Sequence, residues 1–189
     1  MGGFRRYPKK MKRILCNTDI TTVAADALIY STNVNLMLSG GVGACLLKKF
    51  GNDFQDDLYR QLGSSNRRFA EVGEIFLSNR AGDPWRLILH TIATDPMYYT
   101  NPDIVRSLVS RAFDICSSRD DVSSLVMSPL GAGYGDLDLS LFLRVVSEES
   151  AKFEQAGIDS ITVCCDYEPS YLELVTASQE LDADWEPQG

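Results

Sequence analysis

Residues 25–44 read ADALIYSTNVNLMLSGGVGA. The run Ala27–Ser31 is apolar on nearly every consecutive position, which suits a strand with no wet face and therefore a sheet covered by helices on both sides. Glycines at 40, 41 and 43 then introduce the segment Val42–Leu62, where Leu46, Leu47, Phe50, Phe54 and Leu58 recur at spacings near three and four. That spacing predicts an amphipathic helix. A buried strand, a glycine-rich bend and a helix in that order form the repeating unit of an α/β domain, whose ligands bind beyond the carboxyl ends of the strands.

The same grammar extends in both directions. Further strands are expected at Arg13–Cys16, Glu74–Ser78, Leu87–Thr91, Ser124–Met127 and Ser160–Cys164, and helices at Pro102–Ser117, Leu139–Phe153 and Pro169–Ser178. The polar or proline-marked connections, Gly63–Arg68 and Asp95–Asn101, are too short to separate domains. One domain over 12–180 is therefore expected. Before it lies a basic extension or leader, residues 1–11, and after it an acidic tail, residues 181–189, which carries little to bury except Trp185.

With 189 residues, 44% of them hydrophobic and 23% charged, the chain can bury a core without disulfides or metals. Its formal net charge is -8, and residues 1–13 hold six of the 18 basic side chains, so the remainder stands at 12 basic against 26 acidic groups. Such a body repels duplex nucleic acid and anionic membranes, and neither is expected as a partner. No stretch reaches the length of a membrane-spanning helix, and the N-terminus lacks the apolar core of a secretion signal. Five cysteines, an odd number without CxxC spacing, point to a reducing compartment: the cytoplasm, with the nucleus left open. With one histidine and no Cys/His cluster, neither a metal site nor a cofactor is expected.

The chemistry concentrates in two glycine clusters, Ser39-Gly40-Gly41-Val42-Gly43-Ala44 and Gly131-Ala132-Gly133-Tyr134-Gly135, each following a buried strand. Small residues there let backbone N–H groups approach an anion at a helix N-terminus without Lys or Arg. Because net charge is screened beyond roughly 10 Å while such amides act over a few ångströms, an acidic protein can still hold a small anion. Tight turns alone would also explain the glycines. The first cluster lacks the GK[ST] ending of a P-loop, and the second is GxGxG late in the chain, so ATPase and dinucleotide dehydrogenase readings drop.

From about Met11 onward the residues resemble the macro domain family, a module that binds ADP-ribose. Asn17-Thr18-Asp19-Ile20-Thr21 is similar to its G-D-I-T, Ala25–Asn33 to its V-D-A-I-V-N-A-A-N, and Leu36–Ala44 to its L-x-G-G-G-V-D-G. Leu89-His90-Thr91-Ile92 resembles I-H-T-V, and Ser128–Gly135 resembles P-x-L-G-T-G-x-Y-G with one residue fewer. The resemblance implies a three-layer α/β/α sandwich with a central, mostly parallel mixed sheet of about six strands, and ADP-ribose or an ADP-ribosylated protein as the partner.

Residue by residue, it makes Asp19 the acceptor of the adenine amino group, with Ile20 beside it, although an Asp here also suits a helix N-cap. Ser39, Gly40, Gly41, Val42, Gly43 and Ala44 would hold one phosphate and its ribose. Gly131, Ala132, Gly133, Tyr134 and Gly135 would wrap the diphosphate, Tyr134 lying against the distal ribose or simply packing. Asn33 would hydrogen-bond that ribose, unless it only forms a turn. Tyr167 is the candidate to stack on adenine. His90 reads as a buried structural histidine and Cys45 as core.

The hydrolase branch of the family carries G-G-V-D-G-x-I-H. Here Gly43 stands in place of the Asp, Leu47 in place of the His, and Tyr30 in place of the first Asn of N-A-A-N. A general base supplies roughly 10²–10⁴ in rate, and its loss favours a binding module. The alternatives are a metal-independent ADP-ribosyl hydrolase with Asn33 as its catalytic residue, and a scaffold that has kept the fold and lost the ligand.

Overall fold

The computed structural model describes residues 10–79, 84–154, 156–181 and 183–188. Seven strands run in chain order as β1 (Lys12–Cys16), β2 (Ala27–Ser31), β3 (Ile75–Asn79), β4 (Leu87–Thr91), β5 (Ser124–Met127), β6 (Ser160–Cys164) and β7 (Trp185–Gln188). Five helices are α1 (Gly41–Phe50), α2 (Asn52–Ser64), α3 (Pro102–Ser117), α4 (Leu139–Ala151) and α5 (Glu168–Glu180). The sheet has the order β3-β4-β2-β5-β6-β1-β7. Every neighbouring pair is parallel except β3 and β4, giving the mostly parallel mixed sheet expected.

Alternation along the central strands assigns each side chain to one layer. Ala27 and Ile29 join Leu87, Leu89, Leu125 and Met127 in a core covered by α3, α4 and α5. Leu28, Tyr30, Ile88 and Val126 face the other way, onto Leu46, Phe54, Leu58 and Leu62 of α1 and α2. Side chains of a strand point alternately to its two faces, so the unbroken apolar run of residues 27–31 serves both layers at once. At the sheet edge the demand halves, and β3 alternates between buried and half-exposed positions.

Three expectations are corrected. The helix over Val42–Leu62 is two helices, because Gly51 adopts φ 79, ends α1 by donating its N–H to Leu47 at 2.8 Å, and starts α2. A side chain at that angle would be strained, so the apolar spacing continues through a break that only the glycine marks. The acidic tail is also not loose. Residues 185–188 pair with β1 as a seventh strand, Trp185 is buried, and its indole N–H donates to Ser147 Oγ at 2.8 Å. Pro187 is tolerated because β7 is an edge strand. At the other end Met11, which was expected to lie outside the fold, is buried in the core; residues 1–9 fall outside the described part.

Tyr30, His90 and Ser78 form a polar chain inside this apolar layer, each of them buried. Tyr30 Oη···His90 Nδ1 is 2.6 Å and Ser78 Oγ···His90 Nε2 is 3.0 Å, which suits a neutral imidazole with one ring nitrogen donating and the other accepting. Burial pushes the His90 pKa down to about 3 and raises that of the Tyr30 phenol. His90 is therefore structural, as its apolar strand suggested. No described helix is long and apolar enough to cross a membrane.

Candidate functional site

Five connections leave the carboxyl ends of the parallel strands, and the strand order sets their sequence along the edge. They are residues 92–101 after β4, 32–40 after β2, 128–138 after β5, 165–167 after β6 and 17–26 after β1. Strand β2 lies between β4 and β5, so the chain leaves β2 towards one side of the sheet and crosses back to β5 on the other. A crevice at such a reversal is where open α/β sheets take their ligands. Both glycine clusters follow strands at this reversal, the neighbours β2 and β5.

The first loop is braced from below. Leu36 and Leu38 are buried, and the Gln55 side chain accepts from Leu38 N at 2.7 Å and donates to Leu36 O at 2.7 Å. Leu36 holds φ 52, a left-handed conformation costly for a branched side chain and affordable only where the surroundings fix it. Asn33 adds a second brace: its Oδ1 accepts from Asn35 N at 3.1 Å and Met37 N at 3.0 Å, while Nδ2 donates to Met37 O at 2.8 Å. The side chain expected to touch ribose thus shapes its own loop and keeps one amide hydrogen for another partner.

Above these braces the chain turns into α1. Gly40 is its extended N-cap and offers no side-chain hydrogen bond to the first turn. The early N–H groups of α1 consequently point outward without a cap, which is the polar geometry that attracts anions. A Cβ built on Gly40 or Gly41 would meet nothing within 4 Å, and Gly41 has φ 50. Gly43 is needed for a different reason: its Cβ would sit 3.3 Å from Leu38 Cα, so α1 packs directly on the loop. Ser39 is exposed, Ala44 is half-buried, and Val42 packs against the core beneath α1. Cys45 is exposed, not core, because it lies on the outer face of α1.

The second loop closes on itself. Gly131, at φ 73, accepts from Leu137 N at 3.1 Å, and a Cβ on Gly135 would fall 2.2 Å from the Gly131 carbonyl oxygen. Gly133 borders open space, and Ala132 packs against the core. Tyr134 is 79% exposed, with its ring centroid 6.2 Å from that of Tyr98. The connection carrying Tyr98 is tied to this loop, since Thr100 N donates to Asp136 Oδ1 at 3.1 Å. Asp95 folds that connection by accepting from Met97 N at 2.8 Å and Tyr99 N at 2.9 Å, which leaves Met97, Tyr98 and Tyr99 exposed. Sequence reasoning missed both Gln55 and this aromatic group; three large side chains in a proline-marked connection were the available signal.

At the far end, Asp19 caps a short 3-10 turn, Ile20–Thr22, and its Oδ1 accepts from both Thr21 N and Thr21 Oγ1 at 2.8 Å. The capping role is therefore filled through one oxygen, and Oδ2 is left for another donor among the described residues. The side chain of Ile20 is buried in the core, so only its backbone can face the crevice. Tyr167, 64% exposed, is the N-cap of α5 and follows β6, the strand beside β1. The positions corresponding to water-activating groups do not converge here: Tyr30 is buried in the layer below, and Gly43 carries no side chain.

A cleft of about 530 Å³ lies at the opposite edge, lined by Arg13, Arg144, Glu148 and Glu154 among others. Several of its charges are paired within it, with Lys10 on Asp184 and Arg13 donating to Glu154 at 2.9 Å and to Ser150 at 2.9 Å. Charge compensation and its place at the amino ends of the strands make it a poor anion site.

The family model described as "Macro domain" matches residues 29–146, more than half of the chain. Among solved structures, an Oceanobacillus iheyensis macrodomain variant with ADPR superposes with TM-score 0.74 at 16% identity, covering 88% of this chain and 91% of that one. The Trypanosoma brucei macrodomain in complex with ADP gives 0.70 at 20% identity, covering 88% and 69%. The macrodomain of Thermus aquaticus DarG gives 0.67 at 20% identity, covering 82% and 98%. No curated protein matches the chain. These structures share the sheet and its flanking layers, and the family match spans the two glycine loops and the strands that present them, so the chain belongs to the macro domain family.

Proposed function

We propose that the chain binds ADP-ribose, free or attached to a protein, along the carboxyl edge of its sheet. The observation that carries this reading is the pair of glycine loops on adjacent strands, one ending at an uncapped helix N-terminus and both bordered by open space. Asp19 and Tyr167 would take the adenine, Gly40–Gly43 and Gly131–Gly135 the pyrophosphate, and Asn33, Tyr134 and Tyr98 the distal ribose. The order of loops along the edge supports this layout, because the ligand's adenine, phosphates and second ribose would meet them in that succession. Related macrodomains crystallised with ADP or ADP-ribose lend the same support. Backbone amides supply the attraction: a hydrogen bond to a charged group contributes about 1.5–3 kcal/mol, enough in a small number to hold a pyrophosphate on an acidic protein.

Binding without turnover is the favoured form of this function. Asn33 spends most of its hydrogen bonds on its own loop and cannot act as a base at neutral pH, and neither Gly43 nor the buried Tyr30 supplies one. The test is a mono-ADP-ribosylated protein incubated with the chain. Retention of the label, with the modified protein bound and the unmodified protein not, is expected; catalytic release of the label would establish the hydrolase instead.

A further inference from the structure

Cys16 ends β1 and Cys164 ends β6, and the parallel register of these strands sets the two residues directly opposite each other. They share one face of the sheet: Cys164 is buried in the layer beneath α1 and α2, and Cys16 packs against that layer. Cys165 packs against the opposite layer, so Cys164 meets its cross-strand neighbour and not the cysteine beside it in sequence. Cys16 and the Asp19 carboxylate both help to raise the pKa of the Cys164 thiol, after the larger effect of its burial. Cys165 N donates to Cys16 O at 3.0 Å, holding the strand ends together. Neighbouring strands run about 4.8 Å apart, inside the roughly 4.4–6.8 Å range of Cα separations that a disulfide spans.

We propose that Cys16 and Cys164 are a thiol–disulfide modification site, closed by a hydroperoxide into a cross-strand bond at the Asp19 end of the crevice. Cys16, half-exposed, is the thiol that a peroxide can reach. Its sulfur attacks the peroxide oxygen, becomes a sulfenic acid and releases water or an alcohol. Cys164 Sγ then attacks that sulfur and expels the hydroxyl, which leaves as water with the Cys164 proton. The pair of sulfurs loses two electrons and the peroxide gains them. Burial, with smaller contributions from Cys16, Cys165 and Asp19, pushes the Cys164 thiol up to about 12, so it is Cys16 and not Cys164 that meets the peroxide first. A disulfide draws its Cβ atoms to about 3.8 Å, so the bond would pull the two strand ends together. Thiol–disulfide exchange with a dithiol would reopen the bond, so closure is reversible.

The closing bond lies three residues before Asp19, so its formation shifts the adenine end of the crevice; this consequence rests on the ADP-ribose reading. The full chain is treated with hydrogen peroxide, blocked with N-ethylmaleimide and mapped by mass spectrometry. A fall from five free thiols to three, a Cys16–Cys164 linked peptide and reversal by dithiothreitol are expected. Cys45→Ser should leave the linkage intact, whereas Cys16→Ser and Cys164→Ala should abolish it. Maleimide on both Cys16 and Cys164 after oxidation would overturn the proposal, and the wild-type map decides this even if a variant misfolds. ADP-ribose affinity should fall at least about fivefold on oxidation and return on reduction. A linked protein with unchanged affinity would remove the effect on the crevice. A reduced protein that binds no ADP-ribose would instead sink the crevice reading and leave the linkage standing.

Discussion

Replacing Gly135 by alanine places the new methyl 2.2 Å from the Gly131 carbonyl oxygen, 2.8 Å from the Gly131 carbonyl carbon and 2.8 Å from Thr94 Cγ2. Real Cβ contacts essentially never fall below 3.0 Å, so the backbone must part by at least about 0.8 Å, the difference between 3.0 and 2.2 Å. Backbone atoms cannot rotate aside, and the Gly131 oxygen also accepts from Leu137 N. The second loop therefore opens. Overpacking of this kind costs about 1–3 kcal/mol, or roughly 2–12 °C in Tm for a domain of this size. Loss of even one aligned amide to phosphate would weaken ADP-ribose by about tenfold or more. Gly133→Ala is the control for packing alone and should keep the wild-type Tm, since its Cβ meets no protein atom within 4 Å and its φ is not left-handed. Calorimetric titration and thermal melts of the three proteins decide the matter. Wild-type affinity and Tm in Gly135→Ala would refute the loop geometry.

Four further outcomes follow from the same structure. Gly41→Glu should abolish ADP-ribose binding by setting a carboxylate against the phosphates, with Tm also lowered by the strain of a side chain at φ 50; retained affinity in calorimetry would move the crevice elsewhere. Gln55→Ala strips the partners from Leu38 N and Leu36 O and should cost about 2–4 kcal/mol in urea unfolding; a loss below about 0.5 kcal/mol would mean the brace is dispensable. Asp19→Ala should weaken ADP-ribose more than it weakens ribose 5-phosphate, and equal losses would take Asp19 away from the adenine. For His90, the chain's one histidine, the unfolded state binds a proton near pH 6.5 that the folded state refuses until about pH 3, so stability rises with pH across that window. Between pH 6.5 and 5 the fold should lose about 1–2 kcal/mol by urea titration, and a flat profile there would show that the imidazole accepts its proton in place.

Much of the fold was legible because the central strands must be apolar on both faces. Ala27–Ser31, Leu87–Thr91, Ser124–Met127 and Ser160–Cys164 were read from that property to the residue. What escaped depends on contacts that no local pattern records. The break at Gly51 hides inside an uninterrupted helical spacing, and β7 is four residues with a proline, held by Trp185 reaching Ser147 38 positions away. In the site, the glycine loops were visible from their place after buried strands. The loop-bracing role of Asn33 was not, because an Asn after a strand can serve a turn or a ligand, and only the three bonds within residues 33–37 reveal the turn. Gln55 looks like one more polar position on an amphipathic helix until Leu36 and Leu38 are seen beneath the loop that it holds.

The account depends on a small anion gripped by main-chain amides of two loops on neighbouring strands. Calorimetric titration of the reduced full chain with ADP-ribose tests this most directly. Saturable one-to-one heat that disappears in Gly41→Glu is predicted, and a wild-type chain that stays silent up to millimolar ADP-ribose would contradict it.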